Sequence, residues 1–236
     1  MSINFITFGS HDNFIDAGNR LMGQAKGLNI FNEMTLYTGD YLKKDVPFWT
    51  AHGEFISKNR RGYGHWLWKP YLIKQNMEKM NDGDILLYLD SGCEIDVREK
   101  DYLLHCIELV KKDKLIGTVY CDPEKYWNKM DLIVKLDMTN TEHLNTLQRQ
   151  GGVVLFLVCN ETRQLINKCY ELGCDYHNID DTPSIHRNLD CFREHRHDQS
   201  VFSLLTKKYN LYSDTYLSVK CIKEYRNKSG SSRIVM

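Results

Sequence analysis

The chain has no net charge: its 236 residues carry 31 Lys plus Arg against 31 Asp plus Glu. That balance provides no long-range attraction for a polyphosphate backbone, so a nucleic-acid partner is not expected. No Cys-x-x-Cys pair occurs among the eight cysteines, which excludes metal knuckles and thioredoxin-type redox motifs. No window reaches the roughly 18 consecutive apolar residues of a membrane span, so anything membrane-linked would have to be met by docking. Met1 to Phe8 lacks a basic region and a long apolar stretch, so no signal peptide is expected and a cytoplasmic location is. Internal repeats and low-complexity linkers are also missing. At this length disulfide staples are not needed, and reduced thiols are expected; Cys159, after the apolar run Val153 to Val158, reads as a small hydrophobe.

What is present reads as alternating strands and helices. Ile3 to Phe8 is a short apolar strand, followed by the turn cluster Gly9 to Asn13 and a helix over Phe14 to Lys26, ending near Gly27. Met34 to Tyr37 is a second strand. Asp40 to Phe48 is irregular or helical, and Tyr71 to Met80 has helical apolar spacing. Ile85 to Leu89, five uncharged residues between Gly83-Asp84 and Asp90-Ser91-Gly92, predicts a strand covered on both faces. Tyr102 to Lys111 reads as helix, Leu115 to Tyr120 as strand, and Asp131 to Met138 as either. Val153 to Val158 predicts another buried strand, and Glu161 to Leu172 a helix closed by Gly173. Asp175 to Asp190 is expected to be a long loop or lid, and Val201 to Tyr209 a final helix. This alternation predicts an open α/β sheet with ligands at the carboxyl ends of its strands. One domain is expected over residues 1–222, with 223–236 a flexible tail.

Three segments carry chemistry. The strand ending at Asp90, followed by Ser91 and Gly92, delivers a carboxylate where backbone can approach a ligand; hard oxygen donors of this kind suit Mg²⁺ or Mn²⁺, with Glu94 or water completing the shell. Asp90 as a simple turn cap is the alternative. The segment Arg60 to Pro70 packs Tyr63, Trp66 and Trp68 around Arg60, Arg61 and Lys69, which suits ring stacking beside phosphate or, equally, a core-anchoring loop. His197 and Asp198 open the last helix: Asp198 either positions an acceptor hydroxyl or caps the helix, and His197 is a metal or phosphate contact. Gly151-Gly152 marks close backbone approach at a strand start.

With these residues in place, the chain resembles the GT-A-type nucleotide-diphospho-sugar glycosyltransferases. It is similar to small bacterial and viral members carrying Trp-x-Trp-Lys-Pro (here Trp66 to Pro70) and Gly-Asp-x-Leu-x-Tyr-x-Asp-x-Gly-Cys-Glu (Gly83 to Glu94), from about Phe5 to Tyr209. The resemblance implies a Rossmann-like mixed sheet flanked by helices, with Thr7, Phe8, Gly9 and Ser10 holding base and ribose. It puts the metal motif, usually Asp-x-Asp, on Asp90-Ser91-Gly92, where Gly92 replaces the second acid. Asp90 is then the ligand for Mn²⁺ or Mg²⁺, with Glu94 and His197 as candidate partners. On the donor side it implies Arg61, Trp66, Lys69, Ser91, Gly92 and Gly152. Lys69 and Asp198 are the implied catalytic pair: Lys69 on the diphosphate, Asp198 as base in an inverting reaction or as a sugar-orienting group in a retaining one. The implied donor is a nucleoside diphosphate hexose, expected to be uridine-based, and the acceptor a hydroxyl of a glycan, lipid-linked saccharide or glycoprotein. The missing acid at Gly92 keeps open an inactive nucleotide-sugar-binding module or a donor hydrolase; a two-metal phosphoesterase is disfavoured by scattered histidines.

Overall fold

The computed structural model describes residues 1–139, 141–211, 213 and 215–234. In chain order the elements are β1 (Ile3–Gly9), α1 (Asp12–Leu28), β2 (Glu33–Thr38), α2 (Gly39–Lys44), α3 (Val46–Lys58), the short turn α4 (Gly62–His65), α5 (Trp68–Lys79), β3 (Ile85–Leu89), β4 (Glu94–Ile95) and α6 (Lys100–Asp113). There follow β5 (Leu115–Ile116), β6 (Val119–Pro123), α7 (Met130–Lys135), α8 (Thr141–Leu144), β7 (Leu147–Arg149), β8 (Val153–Leu157), α9 (Asn160–Cys174), α10 (Asp198–Lys208) and β9 (Ile222–Lys223).

Five strands form the central sheet in the order β2-β1-β3-β8-β5. Parallel pairing joins β1 to β2 and β3, while β8 runs antiparallel to both β3 and β5. The result is the expected mixed α/β sheet, parallel except for β8. Strand side chains alternate between faces. Ile6, Phe8, Leu86, Tyr88, Val154 and Phe156 join one core with residues of α3, α5, α9 and α10. Phe5, Ile85, Leu87, Leu89, Val153 and Leu155 join the other with residues of α1 and α6. All five residues of β3 are therefore buried, as its uninterrupted apolarity predicts. Each such aliphatic side chain stabilises the fold by about 1.5–3 kcal/mol relative to exposure.

Helix ends follow local chemistry more than the glycines suggested. α1 runs past Gly27 and stops at Asn29, left-handed at φ 50°. α9 runs through Gly173 to Cys174; Gly173 is small because a Cβ there would meet Leu67 Cδ1 at 3.0 Å. α3, which the reading of Asp40 to Phe48 as irregular or helical touches only at its start, begins where the Asp45 side chain accepts a hydrogen bond from Phe48 N and Pro47 occupies the first turn. The ambiguous Asp131 to Met138 stretch is largely helical, in α7. The 175–190 segment is mostly irregular but anchored: Lys129 Nζ meets Asp180 at 2.9 Å, and Asp131 accepts from the rings of His177 and His186. All eight cysteines are free.

The expected flexible tail is the main correction. Residues 223–234 fold back over the turn after β3, and β9 pairs antiparallel with β4. Arg20, on α1, donates to the carbonyls of Ser91 and Cys93 at 2.9 Å each and to those of Asn227 and Ser229. Glu94 is fully buried beneath this segment, accepting from Asn227 Nδ2 (2.7 Å), Ser232 Oγ (2.5 Å) and the backbone N–H of Arg233 and Ile234. Burial opposes its charge, yet these donors bring its pKa down to about 2. Polar residues that read as disorder thus fasten the segment through hydrogen bonds rather than apolar packing. Among the described residues, no helix is long and apolar enough to cross a membrane.

Candidate active site

At the carboxyl ends of β1 and β3 a cleft of about 520 Å³ opens, as an open α/β sheet predicts. Its floor holds Lys69, Asp90 and Asp198. β3 ends at Asp90, whose N–H donates to Gly152 O (2.8 Å) and whose carbonyl accepts from Cys93 N (2.9 Å), so the turn is held at both sides. Lys69 arrives from the first turn of α5 and Asp198 from the first turn of α10. The buried Lys69 ammonium lies 2.9 Å from Asp198 Oδ2 and 3.3 Å from Asp90 Oδ1. Tyr88 donates its hydroxyl to the same Asp90 oxygen at 2.5 Å.

These groups set one another's protonation. Burial works against the Lys69 charge, but Asp198 and Asp90 outweigh it and hold its pKa above the ordinary lysine value. Burial pushes Asp198 up to about 6, against the pull of Lys69, with Asp90 adding like-charge repulsion. At neutral pH Asp198 is ionised and Lys69 charged, and the cluster takes up a proton near pH 6. Burial, then Asp90, pushes the Tyr88 phenol well above its usual value, so it remains a hydrogen-bond donor.

Two glycines are demanded by this floor. A Cβ on Gly152 would stand 2.5 Å from Asp90 Oδ2, and one on Gly151 3.3 Å from Asp198 Oδ2. The tight approach keeps the second oxygen of Asp90 against backbone at the cleft. Around the floor stand aromatic side chains (Phe8, Phe14, Tyr63, Trp66, Trp68) and cations (Arg60, Arg61, Arg196, Arg226, Lys228). Phe8 stacks on Trp68 with centroids 3.8 Å apart, so Trp68 is partly core. Trp66, left-handed at φ 60°, stacks on His197 at 5.3 Å. Flat rings beside a cationic rim can hold a base or sugar face while the cations meet phosphates.

The structure brings together Phe8, Arg61, Trp66, Lys69, Asp90, Ser91, Gly92, Gly152, His197 and Asp198 around one cleft. Three expected residues stand elsewhere. Thr7 is buried, donating to Leu89 O at 2.7 Å, and ties β1 to the end of β3. Gly9 is not at the cleft; a Cβ there would strike Phe14 O at 2.5 Å, so its role is to let α1 approach. Glu94, beneath the C-terminal segment, has its carboxylate fully engaged and is corrected from metal ligand to anchor. Another acid, Glu224, lines the cleft, and its pKa is raised by burial, with Asp90 contributing. Glu224, Arg226 and Lys228 had no sequence signal, because they lie in the segment that composition marks as a tail.

The residues fit a hard divalent ion that arrives with a diphosphate. Such ions are commonly held by one or two carboxylates plus phosphate oxygens, and Asp90 presents its second oxygen at the cleft with Glu224 near.

No family model and no curated protein matches the chain. Among solved structures, it is similar to a glycosyltransferase involved in the glycosylation of the major capsid of PBCV-1 (11% identity, TM-score 0.44, covering 73% of this chain and 66% of that one). Mouse xyloside xylosyltransferase 1 in its apo form gives 11% identity and TM-score 0.47, over 90% of this chain and 84% of that one. Mannose-6-phosphate isomerase from Helicobacter pylori gives 10% identity and TM-score 0.37, over 94% and 93%. At such identities and scores none of the three lends its chemistry to this chain, and the functional reading rests on the cleft.

Proposed function

We propose that the chain is a GT-A-type glycosyltransferase that moves a hexose from a nucleoside diphosphate sugar, uridine-based, to a hydroxyl of a glycan, lipid-linked saccharide or glycoprotein. The observation that carries this reading is the buried Lys69 ammonium between two carboxylates at the bottom of a cation-rimmed, aromatic-walled cleft. Its sequence resemblance to that class supports it further.

A diphosphate leaving group gains negative charge as its bond to the sugar breaks, and charge stabilisation placed there beforehand lowers the barrier. Arg60, Arg61, Arg196, Arg226 and Lys228 supply it from the rim and Lys69 from the floor. A Mn²⁺ or Mg²⁺ ion held by Asp90, with Glu224 beside it, supplies Lewis-acid neutralisation of the same charge when bound. Asp198, ionised above about pH 6, accepts a hydrogen bond from an acceptor or donor-sugar hydroxyl; Lys69 holds it in place. Trp66 and Tyr63 provide stacking faces for base or sugar.

The test is a panel of nucleotide sugars incubated with the protein with and without Mn²⁺ or Mg²⁺, measuring nucleoside diphosphate release and sugar transfer. Release that requires metal and disappears in Asp90→Ala, with an unchanged melting curve, supports the reading. Full activity in Asp90→Ala at excess metal refutes the role of Asp90, and no release from any donor refutes the reaction class. Release without transfer to any acceptor marks a donor hydrolase instead.

A further inference from the structure

Beside the cleft, which His197 lines, two buried histidines face one carboxylate without touching it. His65 Nδ1 lies 3.9 Å from Asp181 Oδ2 and His197 Nε2 lies 3.7 Å from Asp181 Oδ1. The two residues are only 3% and 2% exposed, and their rings stack with centroids 4.7 Å apart. Among the described residues neither of these two ring nitrogens has a hydrogen-bond partner, although both are enclosed.

Neighbouring groups decide where each ring keeps its proton. Asn59 Nδ2 donates to Phe55 O at 2.9 Å, which turns Asn59 Oδ1 toward His65 Nε2 at 3.2 Å. An amide oxygen only accepts, so Nε2 is the N–H and Nδ1 carries the lone pair. His197 Nδ1 lies 2.7 Å from Ile179 O, again an acceptor, so Nε2 carries the lone pair. Two lone-pair nitrogens therefore stand beside one carboxylate. Metal-binding histidines show this arrangement, the far nitrogen donating to an oxygen that fixes the tautomer.

Elsewhere in the chain the same combination of two histidines and one aspartate is arranged differently. Asp131 accepts directly from His177 Nε2 at 2.6 Å and His186 Nδ1 at 2.7 Å, the spacing that a shared proton produces. Around Asp181 the spacing is wider by about an ångström. All three donor atoms lie within 4.8 Å of one another. Tetrahedral bonds of 2.0–2.1 Å put ligand atoms about 3.3 Å apart, so an ion would draw the widest pair in by up to about 1.5 Å, most of it taken up by the half-exposed Asp181. Arg61 Nη1 approaches Asp181 Oδ1 at 3.3 Å, but a carboxylate has lone pairs for both, and Arg61 also pairs with Glu194 at 3.6 Å.

We propose that His65, Asp181 and His197 form a site for a divalent transition-metal ion, zinc(II) by its two imidazoles and one carboxylate, built without Asp90. The ion would join the α4 turn, the 175–190 segment and the start of α10, fixing the wall on which Trp66 stacks.

The experiment uses the full chain stripped with a chelator and titrated calorimetrically with zinc chloride, with no nucleotide present, so its result is independent of glycosyl transfer. One zinc ion per chain is expected. Asp181→Asn, at a half-exposed position that leaves folding intact, is expected to weaken binding by about 10-fold or more, as is His65→Gln, while Asp90→Asn binds zinc as the parent does. If His65→Gln melts below the assay temperature, Asp181→Asn alone decides. No heat at saturating zinc, parental affinity in Asp181→Asn, or loss of binding in Asp90→Asn overturns the proposal.

Discussion

Replacing Lys69 by Met removes the charge that neutralises the floor and leaves its shape nearly filled. Of the two carboxylates it faces, Asp90 is 43% exposed and can turn to water, whereas Asp198 is 10% exposed and cannot. The penalty is therefore that of one stranded buried charge. Breaking a buried pair from one side costs about 3–5 kcal/mol, and the exposure of Asp90 puts this case at the lower end, about 3 kcal/mol. At about 2–4 °C per kcal/mol for a chain of this size, the melting temperature should fall by about 6–12 °C at pH 7.5. Lys69→Met combined with Asp198→Asn removes the stranded charge and should recover to within about 1 kcal/mol of the parent, while transfer stays lost. Urea unfolding of the four proteins measures the cycle. A Lys69→Met protein as stable as the parent, or a double variant showing the sum of two losses, would refute the buried ion-pair account.

The folded-state pKa of Asp198 is raised, so its contribution to stability is present below the unfolded value near 3.8 and is lost as pH rises to about 6. Over that window the parent should lose stability relative to Asp198→Asn while its transfer rate climbs, two opposite slopes from one group; parallel difference curves would deny Asp198 the titration. Gly152→Ala drives a Cβ to 2.5 Å from Asp90 Oδ2, so activity should fall at least about 10-fold with melting almost unchanged, because the half-exposed Asp90 swings away. Equal activity would show that Asp90 tolerates displacement. Glu94→Gln should leave metal dependence as it was but free the C-terminal segment and cost about 1–3 kcal/mol, seen as faster proteolysis after Lys223. A changed metal requirement would restore Glu94 to the site.

Segments with one dominant local signal were readable. β3 and β8 are uninterrupted apolar runs and lie inside the sheet; α1, α5, α6 and α9 show helical spacing and are helices. Beyond its first turn α3 was hidden because its buried face mixes Phe48, His52, Gly53 and Ile56, with His52 held by the hydroxyls of Tyr170 and Tyr176. Asp90, Lys69 and Asp198 could each be singled out, but their convergence depends on α5 and α10 meeting over β3 and β8, which no local pattern encodes. Thr7 and Glu94 misled for a shared reason: a polar side chain near a strand end is consumed by structure as readily as by ligand. The wall made by Glu224, Arg226 and Lys228 was invisible because donors and acceptors, not hydrophobes, hold it.

That wall makes the cleft a late product of synthesis. The five sheet strands are all complete once Leu157 has been added, yet Arg20 and Glu94 wait for Asn227 to Ile234 before their partners exist. A nascent or clipped chain can thus possess its whole sheet while its binding chamber is still missing one side. Anything that captures residues 224–234 would act on ligand retention through Glu224, Arg226 and Lys228, without touching a single strand of the central sheet.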